Sequence, residues 1–234
     1  MSNPTNVEPA PGTQLQNKQV SAKKRILKEI QELKKDKEVE GQVWIDVNDD
    51  NIMQMVGHIK GPPDTLYFGG EFVVDISFRD DYPFSAPSVR FKTKIWHPNV
   101  SSSSGYICLD ILGRHWSASM SLKTVLLSLQ VLLQCPQPDD PQDGVVANQM
   151  MNHKKKFEET VRYWTWCFAK PSDPMEIPND LKLMEKKVVD CMNLKGLTRE
   201  QAIIVLSNRN WRAFPKPKQD KLPARQSTRT RKTK

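Results

Sequence analysis

The chain has 234 residues, 38% of them hydrophobic, and a formal net charge of +8. This length accommodates one full domain and a smaller segment. The longest apolar run, Val125 to Leu133, is interrupted by two polar residues and is far shorter than the ~20 residues that cross a bilayer. No membrane anchor is therefore expected, and the polar residues 1–20 do not resemble a secretory signal.

The positive charge is concentrated at the C-terminal end. Residues 212–234 contain nine Lys or Arg and a single acidic residue, Asp220, which leaves the rest of the chain neutral. A neutral body is not composed like a nucleic-acid-binding surface, so specific nucleic-acid binding is not expected. We predict a basic disordered tail over 212–234. Two roles stay open for it: a solvating extension, or a polybasic segment that addresses the nucleus or attracts acidic partners.

The cysteines are scattered without paired spacing, at Cys108, Cys135, Cys167 and Cys191. Because the sequence has no Cys-x-x-Cys pair, it indicates neither a zinc site nor a disulfide framework. Reduced thiols are typical of the cytoplasm and the nucleus, and we expect the protein in one or both compartments.

The first predicted element is a helix that follows a polar leader. Residues 1–20 have few apolar side chains and are predicted to be disordered. From Ser21 onwards, Ile26, Ile30 and Leu33 recur at helical spacing. The outer face of this helix carries several cations, among them Lys23, Lys24 and Lys28. Taken alone, these charges indicate a solvated helix face.

Four strands follow at short spacing. They are predicted around Val43–Ile45, Ile52–Ile59, Phe72–Phe78 and Val89–Phe91. The connections are too short for crossover helices, so an antiparallel meander is expected rather than a parallel sheet. The predicted fold class is α+β, with a four-stranded antiparallel meander flanked by helices.

Helices are predicted after the strands. One apolar stripe indicates a buried helix: Leu122, Val125, Leu126, Leu129 and Leu133. A Pro- and Asp-rich loop at 136–141 precedes a further helical region, and three prolines predict a linker over 171–178. Residues 179–211 indicate two short helices, the second opened by the capping-box pair Thr198 and Gln201.

The most informative stretch is Trp96-His97-Pro98-Asn99, which is followed nine residues later by Cys108 in Gly105-Tyr106-Ile107-Cys108-Leu109-Asp110. A lone cysteine between two apolar residues is more often a small core residue. The tripeptide His97-Pro98-Asn99 and its spacing to Cys108 nevertheless resemble ubiquitin-conjugating enzymes. The stretches Pro138–Asp143 and Val145–Gln149 add to this resemblance. The resemblance covers residues 21–170, the expected catalytic domain. It is closest to the chain-building subfamily with a C-terminal ubiquitin-associated (UBA) domain.

The resemblance implies roles for the residues of this stretch. In the family a cysteine accepts activated ubiquitin as a thioester, so Cys108 is the expected nucleophile. Asn99 is expected to stabilise the oxyanion, and Asp140 to orient the attacking lysine; Asp110 has a weaker claim to that role. A structural alternative stays open for each residue: Asn99 could stabilise a turn, and Asp140 could be an aspartate of a turn or of a helix start. His97 is expected to be a buried structural histidine.

The resemblance also implies protein partners. Pro83, Phe84 and Ser85 in one loop and Ala118 in another match the ligase-binding surface, although Phe84 could equally be a core residue. We prefer the surface because the loop is too rich in proline to lie inside a sheet. By the same resemblance, the activating enzyme is expected to bind the first helix at Lys23, Lys24 and Lys28. No metal or cofactor is expected, since ATP is consumed by the activating enzyme.

Residues 179–211 match a UBA domain only in part. The first loop of that three-helix bundle usually reads Met-Gly-Phe, whereas here it is Met192-Asn193-Leu194, and Pro215 and Pro217 stand where the third helix should begin. We predict a degenerate UBA-like segment that either packs on the catalytic domain or is partly disordered, because two helices bury little apolar surface. Ubiquitin binding by this segment is not expected.

The preferred function is a ubiquitin-conjugating enzyme that transfers ubiquitin from Cys108 to lysine amines of substrates or of ubiquitin, usually with a ligase. A non-catalytic adaptor of the same fold is disfavoured, because Cys108 and Asn99 are both present. An enzyme for a ubiquitin-like modifier is disfavoured by the resemblance in the core. A nucleic-acid-binding protein rests on the tail alone, which has no interleaved aromatic residues.

Overall fold

The computed structural model describes residues 11–48, 50–170 and 176–215 of the chain. The chain divides into two compact units, Met1–Met184 and Glu185–Lys234. This boundary lies inside a helix rather than in the predicted linker, of which residues 171–175 are outside the described part. No helix among the described residues is long and apolar enough to span a bilayer.

The first unit combines an antiparallel sheet with flanking helices. Its strands are β1 (Val43–Val47), β2 (Gln54–Lys60), β3 (Glu71–Ser77) and β4 (Ser88–Phe91). Its complete helices are α1 (Pro11–Lys35), α2 (Leu122–Gln134), α3 (Gly144–Asn152) and α4 (Lys154–Phe168). A short 3₁₀ helix covers Asp110–Leu112. This arrangement confirms the predicted α+β class.

The four strands pair in the order β1-β2-β3-β4, and every pair is antiparallel, as the meander predicted. Burial alternates along the strands, because successive side chains point to opposite faces. The inner face packs against α2, and a glycine allows the close approach. A Cβ added at Gly57 would lie 2.9 Å from Cδ2 of Leu126, so a larger residue would push α2 away from the sheet.

Helix α1 begins at Pro11, ten residues before the predicted start at Ser21. The expectation of a disordered leader over 1–20 is therefore wrong for residues 11–20, while residues 1–10 lie outside the described part. The side chains of residues 16–20 are exposed, so this part of the helix has no buried face that the apolar spacing could have revealed. Further along, the helix buries the predicted Ile26, Ile30 and Leu33.

The second unit contains most of α5 (Lys182–Lys195) and all of α6 (Arg199–Asn208). The predicted capping box is present, with Thr198 and Gln201 each bonded to the other's backbone. Up to residue 215, the end of the described part, no third helix follows α6. Instead the chain turns back and buries Trp211, whose carbonyl accepts a hydrogen bond from Lys187 Nζ at 3.0 Å. The UBA-like character of 179–211 stays a prediction.

Candidate active site

The segment before Asn99 is anchored by the side chain of Trp96. Trp96 is fully buried, and its indole Nε1–H donates to Oε1 of Gln149 on α3 at 2.8 Å. The Trp96 carbonyl accepts a hydrogen bond from the Tyr67 hydroxyl at 3.0 Å. Trp96 also contacts Trp164 of α4, with ring centroids 4.9 Å apart. The sheet-to-α2 connection is thus fixed to two helices that lie much later in the chain.

His97 is completely buried and holds a defined tautomer. Its Nδ1 accepts the backbone N–H of Asn99 at 3.0 Å, so its proton lies on Nε2 and is donated to the carbonyl of Leu132 at 3.0 Å. Burial lowers the pKa of His97 to about 4. Both ring nitrogens are occupied in the neutral form, which confirms the structural interpretation of His97 and leaves it no free nitrogen to act as a base.

Cys108 lies beside Asn99 through backbone pairing. The Cys108 amide donates to the Asn99 carbonyl at 3.0 Å, and Val100 forms a bridge with Ile107. The turn between the two segments requires Gly105, whose φ is +70° and whose added Cβ would lie 1.9 Å from the carbonyl oxygen of Phe91. The side chain of Cys108 is half-buried, so the thiol is held in a fixed loop with access from outside.

The side chain of Asn99 binds the Pro- and Asp-rich loop. Its Nδ2 donates to the carbonyls of Gln137 at 2.9 Å and Asp140 at 3.0 Å, and its Oδ1 accepts the backbone N–H of Gln137 at 2.8 Å. Asn99 is buried, whereas the carboxylate of Asp140 is exposed. Asp140 therefore lies in a loop whose backbone is bonded to the side chain of Asn99. An oxyanion would have to displace one of the two carbonyls that the Asn99 amide binds here.

A residue that the sequence analysis missed, Asp143, closes the same loop. Its Oδ1 accepts the amides of Val145 and Val146 at the start of α3, and its Oδ2 accepts the backbone and hydroxyl of Ser102 at 3.1 and 2.6 Å. The helix-start role considered for Asp140 thus belongs to Asp143. An aspartate directly before the helical run was the available signal, since aspartate is favoured at this position.

A groove with a volume of about 390 Å³ opens beside Cys108. Its walls come from the end of β3, from β4 and from residues 106–114. Asp110 lines it, but its carboxylate pairs with His115 at 3.2 Å and with Arg114 at 3.5 Å. These partners compete with any incoming lysine for Asp110, so we do not assign that lysine-orienting role to it.

The residues that match the ligase-binding surface lie on two connected loops. Phe84 is 82% exposed, which excludes the core alternative. The Pro83 carbonyl accepts the indole N–H of Trp116 at 2.8 Å, and Ser85 Oγ donates to Asp81 at 2.5 Å. Trp116 is two residues before Ala118, which is half-buried. The indole therefore joins the loop of Phe84 to the loop of Ala118.

A buried carboxylate on α1, also missed by the sequence analysis, supports both loops. Glu29 is only 4% exposed and accepts hydrogen bonds from the Tyr82 hydroxyl and the Leu122 amide, each at 2.8 Å. It also pairs with Arg25, whose guanidinium reaches the Met120 carbonyl at 3.1 Å. Burial, and then the Glu29 charge, raises the pKa of Tyr82, which therefore stays a neutral hydrogen-bond donor.

The cations predicted for docking the activating enzyme are all on the outside of α1. Lys23, Lys24 and Lys28 are exposed, and Lys28 lies 3.7 Å from Glu32. Within the described ranges, no group of three or more His, Cys, Asp or Glu is placed to hold a metal ion.

Comparison with known proteins identifies the class of enzyme to which this fold belongs: transferases that carry their substrate as a thioester. The family model for the ubiquitin-conjugating enzyme matches residues 25–165. Among curated proteins, ubiquitin-conjugating enzyme E2 K of Homo sapiens is 44% identical over 191 residues, which cover 81% of this chain and 92% of that protein. Ubiquitin-conjugating enzyme E2 27 of Arabidopsis thaliana is 49% identical over 148 residues, which cover 63% of this chain and 77% of that protein.

A solved structure agrees with these relatives. The E2 domain of a Toxoplasma gondii ubiquitin conjugating enzyme superposes with a TM-score of 0.59 and 42% sequence identity, covering 62% of this chain and 97% of that domain. The chain belongs to the ubiquitin-conjugating enzyme family. It accepts activated ubiquitin as a thioester and transfers it to lysine amines, and its partners are ubiquitin, the activating enzyme, ubiquitin ligases and protein substrates.

Proposed function

We propose that Cys108 is the cysteine that carries ubiquitin. The supporting observation is its half-buried thiol on the wall of the groove, held by the backbone bond to Asn99. Cys191 is buried, so its thiol is withdrawn from any partner, and burial raises its pKa. In the reaction the thiolate of Cys108 attacks the thioester of the activating enzyme, whose cysteine leaves as a thiolate. A lysine amine then attacks, loses a proton and releases Cys108.

A charging assay tests this assignment. Incubation with activating enzyme, ATP and ubiquitin should give an adduct that disappears when a thiol reductant is added. Cys108→Ala should give none, and Cys135→Ala is the matched control because Cys135 is exposed. An adduct that persists in Cys108→Ala, or one that is lost in Cys135→Ala, would contradict the assignment.

Asn99 and Asp140 are proposed to serve the second half of the reaction. The Asn99 amide donates to the carbonyls of Gln137 and Asp140, so it fixes the position of the loop that carries Asp140. An exposed carboxylate beside the thioester can orient the incoming ammonium and favour loss of its proton. When the thioester is attacked, the Asn99 amide can exchange one loop carbonyl for the oxyanion, which as a charged acceptor forms a stronger hydrogen bond.

The proposed partner surfaces are supported by the exposure of their residues. Phe84, with Pro83, Ser85 and Ala118, is proposed as the ligase-binding surface, because a side chain of this size that is 82% exposed is suited to a protein contact. The outer face of α1 is proposed to receive the activating enzyme through three exposed cations, Lys23, Lys24 and Lys28.

The remaining parts of the proposal concern requirements and location. ATP enters through the activating enzyme, and the chemistry assigned to Cys108 needs no bound cofactor in this chain. We propose the cytoplasm, the nucleus or both as the location, on the basis of four cysteines without paired spacing and the basic segment 212–234. Residues 216–234 of that segment lie outside the described part of the chain.

A further inference from the structure

The groove beside Cys108 is rich in arginine. Arg79, Arg90 and Arg114 line it, against the single carboxylate of Asp110. Cys108 lines the same groove, so whatever occupies it lies next to the thioester. A positively charged groove of this kind attracts a negatively charged ligand.

The three arginines are not equivalent. Arg79 lies 3.7 Å from Asp81, and Arg114 lies 3.5 Å from Asp110. Within the described residues, Arg90 has no carboxylate at ion-pair distance. Its neighbour across the sheet, Asp75, lies instead 3.8 Å from Lys92. Among the described residues, Arg90 is therefore the groove arginine that has no carboxylate partner, which leaves its charge for a ligand.

The position of Arg90 is fixed by an aromatic ring. Its guanidinium lies over Tyr106, 5.7 Å from the ring centroid, and the backbones of the two residues form a bridge. A guanidinium held over an aromatic ring keeps N–H groups at its edge, where a carboxylate can bind them. The guanidinium of Arg90 therefore contacts the Tyr106 ring and pairs with no carboxylate in the described part of the chain, so its N–H groups are available to a carboxylate of a ligand.

The distance to the thiol sets the kind of ligand. Tyr106 precedes Cys108 by two residues, a separation of roughly 7 Å in an extended chain. In an extended acceptor peptide, a residue one to three positions from the reacting lysine lies roughly 3–10 Å from it. A carboxylate at such a position can meet Arg90 while the lysine amine meets the thioester on Cys108.

We propose that this arginine groove selects acceptor lysines that have an Asp or Glu one to three residues away, and that Arg90 is the residue that binds the acidic side chain. The proposal rests on the assignment of Cys108 as the thioester cysteine. It concerns the acceptor and not the ubiquitin already bound, so charging and transfer to free lysine do not depend on Arg90.

The test is single-turnover discharge of the full-length ubiquitin thioester to synthetic peptides with one lysine. Two peptides differ only in having Glu or Gln two residues after that lysine, and further pairs move the Glu to the first or third position. At low salt the best Glu peptide should react roughly two- to fivefold faster than its Gln partner at subsaturating concentration, as for an exposed ion pair. The Glu peptide should have a lower half-saturating concentration than the Gln peptide, and this difference should decrease with added salt.

Variants assign the effect to the residue. Arg90→Gln should abolish the preference, and Arg90→Glu should reverse it in favour of a peptide with Arg in place of the Glu. Lys37→Gln is the control, because Lys37 is an exposed cation that does not line the groove and takes no part in the Asp75–Lys92 pair beside Arg90. It should keep the full preference.

Three results would overturn the proposal. Equal rates for the Glu and Gln peptides at all three positions would exclude acidic selection. A preference that survives Arg90→Gln would exclude Arg90 as the binding residue. If Arg90→Gln slowed discharge to free lysine as much as discharge to both peptides, the groove would contact the donor ubiquitin rather than the acceptor. Failure of the wild-type protein to charge on Cys108 would instead refute the proposed function itself.

Discussion

Replacing His97 with glutamine tests whether a buried neutral histidine makes the active-site segment sensitive to acid. In the neutral form each ring nitrogen of His97 has a partner, the Asn99 amide on Nδ1 and the Leu132 carbonyl on Nε2. Protonating Nδ1 would bury a charge and leave the Asn99 amide without an acceptor. Glutamine offers one donor and one acceptor but does not titrate, so His97→Gln removes the proton-linked part of the stability.

The size of the effect follows from the two pKa values. Burial lowers the pKa of His97 from 6.5 to about 4, so the unfolded chain takes up the proton first as the pH falls. The free energy of unfolding is therefore fully retained above pH 6.5 and decreases between pH 6.5 and about 4. A gap of roughly 2.5 between the pKa values corresponds to about 3 kcal/mol.

The assay is urea unfolding followed by tryptophan fluorescence from pH 7.5 to 4. The difference in unfolding free energy between wild type and His97→Gln should decrease by about 3 kcal/mol over this range, because other titrating groups cancel in the difference. Leu126→Ala is the control: it loses about 2–5 kcal/mol through a cavity, and that loss should not depend on pH. A constant difference for His97→Gln would refute the reasoning.

Three further predictions concern transfer, stability and location. Asn99→Ala should retain charging but slow discharge to free lysine on the order of a hundredfold, as measured by single-turnover decay of the thioester; equal losses in both steps would mean that Asn99 only shapes the loop. Glu29→Gln should lower the free energy of unfolding by about 1.5–3 kcal/mol, because three donors lose a charged acceptor. Glu32→Gln, exposed on the same helix, is its control and should change stability by no more than about 0.5 kcal/mol in the same urea titration. Removing residues 212–234 should leave charging intact and, if the tail addresses the nucleus, shift a fluorescent fusion towards the cytoplasm. An unchanged distribution, with unchanged low-salt binding to anionic vesicles, would support the solvating extension.

The sequence was sufficient wherever the relevant pattern is local. Alternation of apolar residues predicted the meander, because side chains of a strand alternate between its faces. The stripe from Leu122 to Leu133 predicted α2, and the pair Thr198 and Gln201 predicted the start of α6, since these signals lie within a few turns of one helix. The stretch from Asn99 to Cys108 is also local, and its resemblance to ubiquitin-conjugating enzymes led to the proposed site.

The tertiary structure decided what depends on distant parts of the chain. The helical spacing puts Glu29 on the same buried face as Ile26 and Leu33. The sequence does not reveal the partners that satisfy a carboxylate there, because Tyr82 and Leu122 are 53 and 93 residues away. The Asn99 amide likewise finds Gln137 and Asp140 across about forty residues, which only the packing of the loop could reveal. Arg90 is a further case: in the described part of the chain it has no carboxylate partner, because its cross-strand neighbour Asp75 pairs with Lys92 instead. Sequence patterns report the face on which a side chain lies, whereas the partner of a polar group is fixed only when the chain has folded.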